Sequence, residues 1–186
     1  MSPEQPKAPE PDPQNLPAPQ PRPASDASCL LSAPDAETTQ ALGARLGRAM
    51  GVGDVIALTG PLGSGKTTFA QGVAVGLDVA TDRHVASPTF ALVNEHPGRV
   101  PFVHADFYRI KSDAELGELG LEEAYDRAAA ALEWAERFPT VLPADHLHIV
   151  FETDAQGTRR LTCRGTGPRG RRLAAALADD SDSAAR

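Results

Sequence analysis

Between residues 29 and 164 the chain alternates short apolar runs with stretches of helical spacing. Pro34-Asp35-Ala36-Glu37 brings acidic residues to a first helical turn, and Leu42, Leu46 and Met50 then recur on one helical face. Gly51 and Gly53 stop that helix. Val55-Ile56-Ala57-Leu58 is a continuous apolar run, the mark of a strand covered on both faces. A glycine-rich loop follows, and residues 67–77 read as a second helix. Phe90-Ala91-Leu92-Val93 and Val100-Pro101-Phe102-Val103 flank the turn-forming His96-Pro97-Gly98-Arg99 and predict a hairpin-like pair. Pro101 then needs an edge or a bulge. Residues 113–138 read as helical by propensity, including Ala128 to Ala131. The alternation around Leu147, Ile149 and Phe151, the turn Asp154-Ala155-Gln156-Gly157 and the return through Thr158 to Arg164 predict a terminal antiparallel hairpin.

The two ends read differently. Prolines at positions 3, 6, 9, 11, 13, 17, 19, 21 and 23 remove N–H donors where almost nothing apolar is available for burial. Residues 1–28 are therefore expected to be a disordered tail, with a PxxP-type ligand as the alternative. Residues 165–186 are expected to be a second disordered tail, which leaves 29–164 as the folded domain. At 186 residues there is room for one domain, and 5% aromatics make its core aliphatic. A net charge of -7 argues against a protein that grips nucleic acid unaided, although Arg159, Arg160, Arg164, Arg169, Arg171 and Arg172 gather late in the chain. Cys29 and Cys163 fit no metal-ligand or redox spacing and read as reduced thiols. Without a secretory pattern or an apolar run of ~20 residues, the cytoplasm is the expected compartment, with no membrane contact.

Gly60-Pro61-Leu62-Gly63-Ser64-Gly65-Lys66-Thr67 matches G-x-x-x-x-G-K-[ST] at every position, after a buried strand and at the opening of a helix. That arrangement aims backbone N–H groups and the positive end of a helix dipole at an anion. Gly60, Gly63 and Gly65 let the backbone approach phosphate oxygens, with Ser64 between them. Lys66 is placed to reach the β- and γ-phosphates, the Thr67 hydroxyl suits Mg²⁺, and Thr68 adds a contact to the α-phosphate. ATP and Mg²⁺ are the expected cofactors.

Two carboxylates qualify as partners for the metal and for water. Asp106 closes the apolar strand in His104-Ala105-Asp106-Phe107-Tyr108-Arg109, and Glu133 follows a short apolar stretch before Trp134. Ligands in open α/β sheets bind at such strand ends. Ser87-Pro88-Thr89-Phe90 offers hydroxyls on a stiffened turn, either as a γ-phosphate sensor or as an ordinary loop. His146 and His148 share a strand face and read as outward polar positions rather than a metal clasp. The arginine-rich run reads as solvated, with docking or phosphate steering as alternatives.

Taken in order, the loop, Ser87-Pro88-Thr89-Phe90, His104-x-Asp106-Phe107-Tyr108-Arg109, Gly120-Leu121-Glu122-Glu123 and Glu133-Trp134 resemble the bacterial TsaE (YjeE) family, over roughly residues 33–164. The resemblance implies an α/β P-loop NTPase fold, with a mostly parallel sheet flanked by helices and an antiparallel C-terminal hairpin. It implies a weak Mg²⁺-dependent ATPase required for threonylcarbamoyladenosine modification of tRNA. Such a protein acts on a complex of the TsaD transferase and its paralogue TsaB, and meets tRNA only through that complex. Carried over, Lys66 and Thr67 hold phosphate and Mg²⁺, Asp106 and Glu133 serve metal and water, Thr89 lies in a switch-like loop, and Trp134 lies beside the site. Which carboxylate orients the water stays open. The family has a buried strand of β-branched residues before Glu-Trp, where this chain has Ala128 to Ala131.

A small-molecule kinase is the main rival, and it would need arginines on a lid. A GTPase would need an Asn-Lys-x-Asp segment, which the sequence does not contain. A nucleotide-dependent binding module with negligible turnover is the third reading. Deleting residues 1–28 is expected to leave folding and ATP turnover intact. A large fall in Tm of the truncated chain would contradict this.

Overall fold

The computed structural model describes residues 27–80 and 92–179. Seven strands form one mixed sheet: β1 (Ser28–Ala33), β2 (Val55–Thr59), β3 (Val93–His96), β4 (Phe102–Asp106), β5 (Ala129–Glu133), β6 (Leu147–Thr153) and β7 (Arg159–Gly165). Their order is β1-β7-β6-β2-β5-β4-β3. The central four, β6-β2-β5-β4, are parallel. Antiparallel pairs β6–β7, β7–β1 and β4–β3 complete the two edges. The helices are α1 (Ala36–Ala49), α2 (Lys66–Gly76), α3 (Asp113–Gly117), α4 (Leu121–Tyr125) and α5 (Gly167–Ala178), with 3₁₀ turns at Ala135–Arg137 and Pro139–Val141. None of the described helices is long and apolar enough to cross a membrane.

Most predicted elements are present. Asp35 caps α1 by accepting from the Thr38 amide at 2.7 Å, an acceptor for a donor the helix itself leaves orphaned. The predicted hairpin around 96–99 forms between β3 and β4, with each strand displaced toward the C-terminus. Phe90 and Ala91 lie outside the described residues. At the β6–β7 turn, Asp154 Oδ1 accepts from the Gln156 and Thr158 amides.

Three expectations are corrected. Residues 113–138 are not one helical stretch. Gly120 adopts φ +61° and separates two short helices, and residues 129–133 form β5 between β2 and β4. Every residue of β5 is buried, so exclusion of both faces from water outweighs the helical propensity of alanine. Next, β1 begins at Ser28 and pairs with β7, so the proline-rich stretch is followed by a strand that periodicity did not announce. Finally, order does not stop near Arg164. Leu173, Ala174 and Leu177 of α5 are buried in the core shared with α1, α2 and the sheet. Arg172 of α5 pairs with the buried carboxylate of Asp54, which also accepts from the Gly51 amide at 2.8 Å.

The sheet has a core on each face. Leu46, Ile56, Phe69, Val73, Phe151 and Leu173 belong to the side of α1, α2 and α5. Val55, Val103, Phe107, Leu116, Leu121 and Leu132 belong to the side of α3 and α4. Helices α1 and α2 touch backbone to backbone through Gly43 and Gly47 against Gly72 and Gly76. A Cβ on Gly72 would lie 2.1 Å from the Gln40 carbonyl oxygen, and one on Gly43 2.2 Å from that of Phe69. Neither obstacle is a movable side chain. Gly72→Ala is therefore expected to cost about 1–3 kcal/mol and several degrees of Tm. Gly117→Ala, with nothing within 4 Å of its Cβ position, is expected to leave Tm nearly unchanged. Similar Tm values for the two variants would contradict the helix contact.

Candidate functional site

The carboxyl ends of β2, β5 and β4 lie level. Leu58 is opposite Glu133, and Glu133 is opposite Asp106. The glycine-rich loop therefore leaves β2 beside two carboxylates that sequence places far away. Within the loop Gly60, Gly63 and Gly65 have φ of +144°, +77° and +103°, a region that side chains with a Cβ disfavour. Gly65 is the N-cap of α2, so the first orphaned amides of that helix open onto the loop.

Lys66 is buried to 4% exposure. Its Nζ donates to the carbonyls of Gly60 at 2.7 Å and Pro61 at 2.9 Å, and lies 4.1 Å from the centre of the Trp134 ring. Burial lowers its pKa, and the neighbouring carboxylates, Glu133 first and then Glu136 and Asp106, oppose that shift. Thr67 Oγ1 donates to Glu133 Oε2 at 3.0 Å. On the other oxygen of the same carboxylate, His104 Nε2–H donates to Oε1 at 2.8 Å, with both side chains buried. Glu133 is thus held from two sides. Asp106 is less enclosed, and its Oδ1 accepts from the Tyr108 amide at 2.9 Å.

These groups line a cleft of about 390 Å³ that includes Leu62, Thr68, Asp106, Glu133, Trp134 and, from the far side, Arg159. Trp134 stands with φ +59° and packs against Tyr108 at a ring separation of 5.0 Å. Arg137 fastens the loop after β4: its guanidinium donates to the carbonyls of Phe107 at 2.7 Å, of Ile110 at 2.9 Å and of Tyr108.

The structure brings Gly60, Gly63, Ser64, Gly65, Lys66, Thr67, Thr68, Asp106, Glu133 and Trp134 into one neighbourhood. Ser87 and Thr89 lie outside the described residues. His148 turns to Thr59, with Nε2 2.8 Å from the hydroxyl oxygen, and His146 Nδ1 lies 2.7 Å from the Pro143 carbonyl. Sequence reasoning assigned no task to His104 or Arg137, and took Arg159 only as part of an arginine-rich run read as solvated, with docking or phosphate steering as alternatives. For His104 a signal existed: positions 104 and 106 share one face of a strand.

The residues present fit a nucleoside triphosphate with Mg²⁺. The Ser64 hydroxyl is buried in the loop without a hydrogen-bond partner. The hard oxygens of Thr67 and Glu133, with Asp106 nearby, are the donor type that Mg²⁺ takes beside phosphate.

Residues 33–161 match the family described as threonylcarbamoyl adenosine biosynthesis protein TsaE. The chain belongs to the TsaE family. It is 36% identical over 138 residues to the TsaE protein of Mycobacterium tuberculosis, covering 69% of this chain and 81% of that one. With the TsaE protein of Bacillus subtilis the identity is 40% over 119 residues, covering 63% and 73%. Among solved structures, Bacillus subtilis YdiB superposes with a TM-score of 0.70 at 31% identity, over 81% of this chain and 94% of that one. The α/β P-loop fold expected from the sequence is the fold of this TsaE family member.

Removing Glu133 tests the packing of the site directly. Glu133→Ala leaves the buried His104 donor and the half-buried Thr67 donor without an acceptor, an expected loss of about 1–3 kcal/mol, while Glu133→Gln keeps acceptor capacity and loses less. Thermal unfolding decides the matter. Equal Tm for the two variants would show that these hydrogen bonds carry no stability.

Proposed function

We propose that this chain binds and slowly hydrolyses ATP with Mg²⁺ and serves threonylcarbamoyladenosine modification of tRNA by acting on the TsaB–TsaD complex. The observation that carries the reading is the junction of the phosphate loop with an acid: Thr67, at the mouth of α2, is hydrogen-bonded to the buried Glu133 at 3.0 Å. A loop of this kind alone binds phosphate. With a carboxylate against its hydroxyl it has a place for a phosphate-bound cation.

In this reading the amides of residues 63–68 and the dipole of α2 grip the triphosphate. Lys66 exchanges the carbonyls of Gly60 and Pro61 for phosphate oxygens, staying over the Trp134 face. Thr67, Glu133 and Asp106 would hold Mg²⁺, which when bound would supply charge neutralisation to the triphosphate. His104 keeps the Glu133 carboxylate in one orientation through the bond to Oε1. Asp106, the more open of the two acids, orients the attacking water. The relatives, which are tRNA threonylcarbamoyladenosine biosynthesis proteins by name, suggest the pathway. The partners follow from the family resemblance.

The test measures ADP and phosphate release alone and with the purified TsaB–TsaD pair. The expected result is slow turnover that rises on adding the pair, and its loss in Lys66→Ala. A rate indifferent to the pair but accelerated by a sugar or nucleoside, with a phosphorylated product, would move the protein to the kinases.

A further inference from the structure

Arg159 opens β7, two strands away from β2 on the side opposite the acids. Its backbone is fixed in two ladders at once, opposite Thr153 of β6 and Ala33 of β1. From there the side chain runs along the backbone of Gly65, the N-cap of α2. A Cβ on Gly65 would meet Arg159 Nε at 2.8 Å and Cδ at 3.0 Å, with Thr39 Cγ2 behind it at 3.6 Å. The same side chain lines the cleft that holds Lys66, Thr67, Asp106 and Glu133. A guanidinium thus lies against the positive end of a helix, in a loop that already carries the buried Lys66. Cations at a helix N-terminus are unfavourable by themselves. An anion seated between them reverses the sign of that interaction, and the planar guanidinium is suited to two phosphate oxygens at once.

Position then selects the phosphate. The acids that serve the metal in the reading above stand at the β5–β4 end of the cleft, which is therefore the terminal-phosphate end. Arg159 stands at the other end, where the nucleotide continues to its sugar. We propose that Arg159 is a nucleotide-binding residue that holds the α-phosphate, the group shared by ATP and ADP, and that it keeps the product as well as the substrate on the loop. The proposal rests on the phosphate-loop reading and adds a residue to it. Gly65, whose φ of +103° already favours glycine, leaves this flank open to Arg159.

Equilibrium binding of ATP and ADP to the full chain, with Mg²⁺, tests it in the Arg159→Gln and Arg159→Lys variants. Arg159→Gln is expected to weaken both nucleotides by the same factor, about tenfold, the scale of one charge-assisted contact. Arg159→Lys is expected to recover part of that loss, since it restores the charge but not the fork. At saturating ATP, kcat is expected to fall far less than affinity. Unchanged affinity for both nucleotides would overturn the proposal, and so would a loss confined to ATP, which would put Arg159 on the γ-phosphate. A fall in Tm with unaltered affinity would make the residue structural and also overturn it. Lys66→Ala, measured alongside, separates the two claims: if that variant binds ATP normally, the loop reading fails whatever Arg159 does.

Discussion

The site depends on the register of three parallel strands. Because Leu58, Glu133 and Asp106 stand in one row, the loop leaving β2 emerges beside the acids ending β5 and β4. Parallel strands buried on both faces tolerate little freedom of register, since a slip by one residue turns every side chain to the opposite face. Such a slip would carry Glu133 away from Thr67 and His104 together. The row also explains the composition of β5. A strand between β2 and β4, with layers packed on both of its faces, accepts Ala129, Ala130 and Ala131 because small side chains let those layers approach.

The second support is the contact of α1 with α2. Helix α2 presents the amides of the phosphate loop, so its position must be set to within a fraction of an ångström. Glycines on both helices bring the backbones together without flexible side chains between them. Leu46, Phe69, Ala70 and Val73 fill the adjoining core. On the opposite rim, Arg137 ties down the carbonyls of residues 107, 108 and 110. The cleft is thus held from the side of α2 and from the loop after β4.

What sequence could reveal follows from how local each signal is. The phosphate loop is contiguous, so strand, loop and helix were readable from one stretch. Asp106 was readable because it ends an apolar run that is itself a strand. Glu133 was readable from the short apolar stretch before it and from its Trp neighbour, but the alanines of that stretch carry helical propensity, so the strand they form was not. Helix α5 was missed since its arginines and alanines look like a solvated tail until Asp54 and the β1–β7 edge are brought to it. Cys29 and Cys163 show the same limit. No spacing relates them, yet they stand directly opposite on β1 and β7 as free thiols. Arg159 was visible as one arginine among several, and what distinguishes it is Gly65, far away in the chain.

That distinction also settles what the late basic run means. Read as a line of charge it suggests a patch for a polyanion, but the fold divides it. Arg172 pairs with the buried Asp54 and donates to the Ala49 carbonyl at 2.6 Å, at the last residue of α1, where carbonyls lack helical partners. Arg169 donates to the Val52 carbonyl at 2.9 Å and lies 3.7 Å from Asp54. These two arginines bind α5 to the β2 entry and neutralise an acid that burial would otherwise penalise. Arg160 and Arg164 face outward from β7, alternating with buried Leu161 and Cys163. A run that looks uniform in sequence is thus divided by the alternation of a strand and the turn of a helix into internal clamps, a solvated face and a guanidinium beside the phosphate loop.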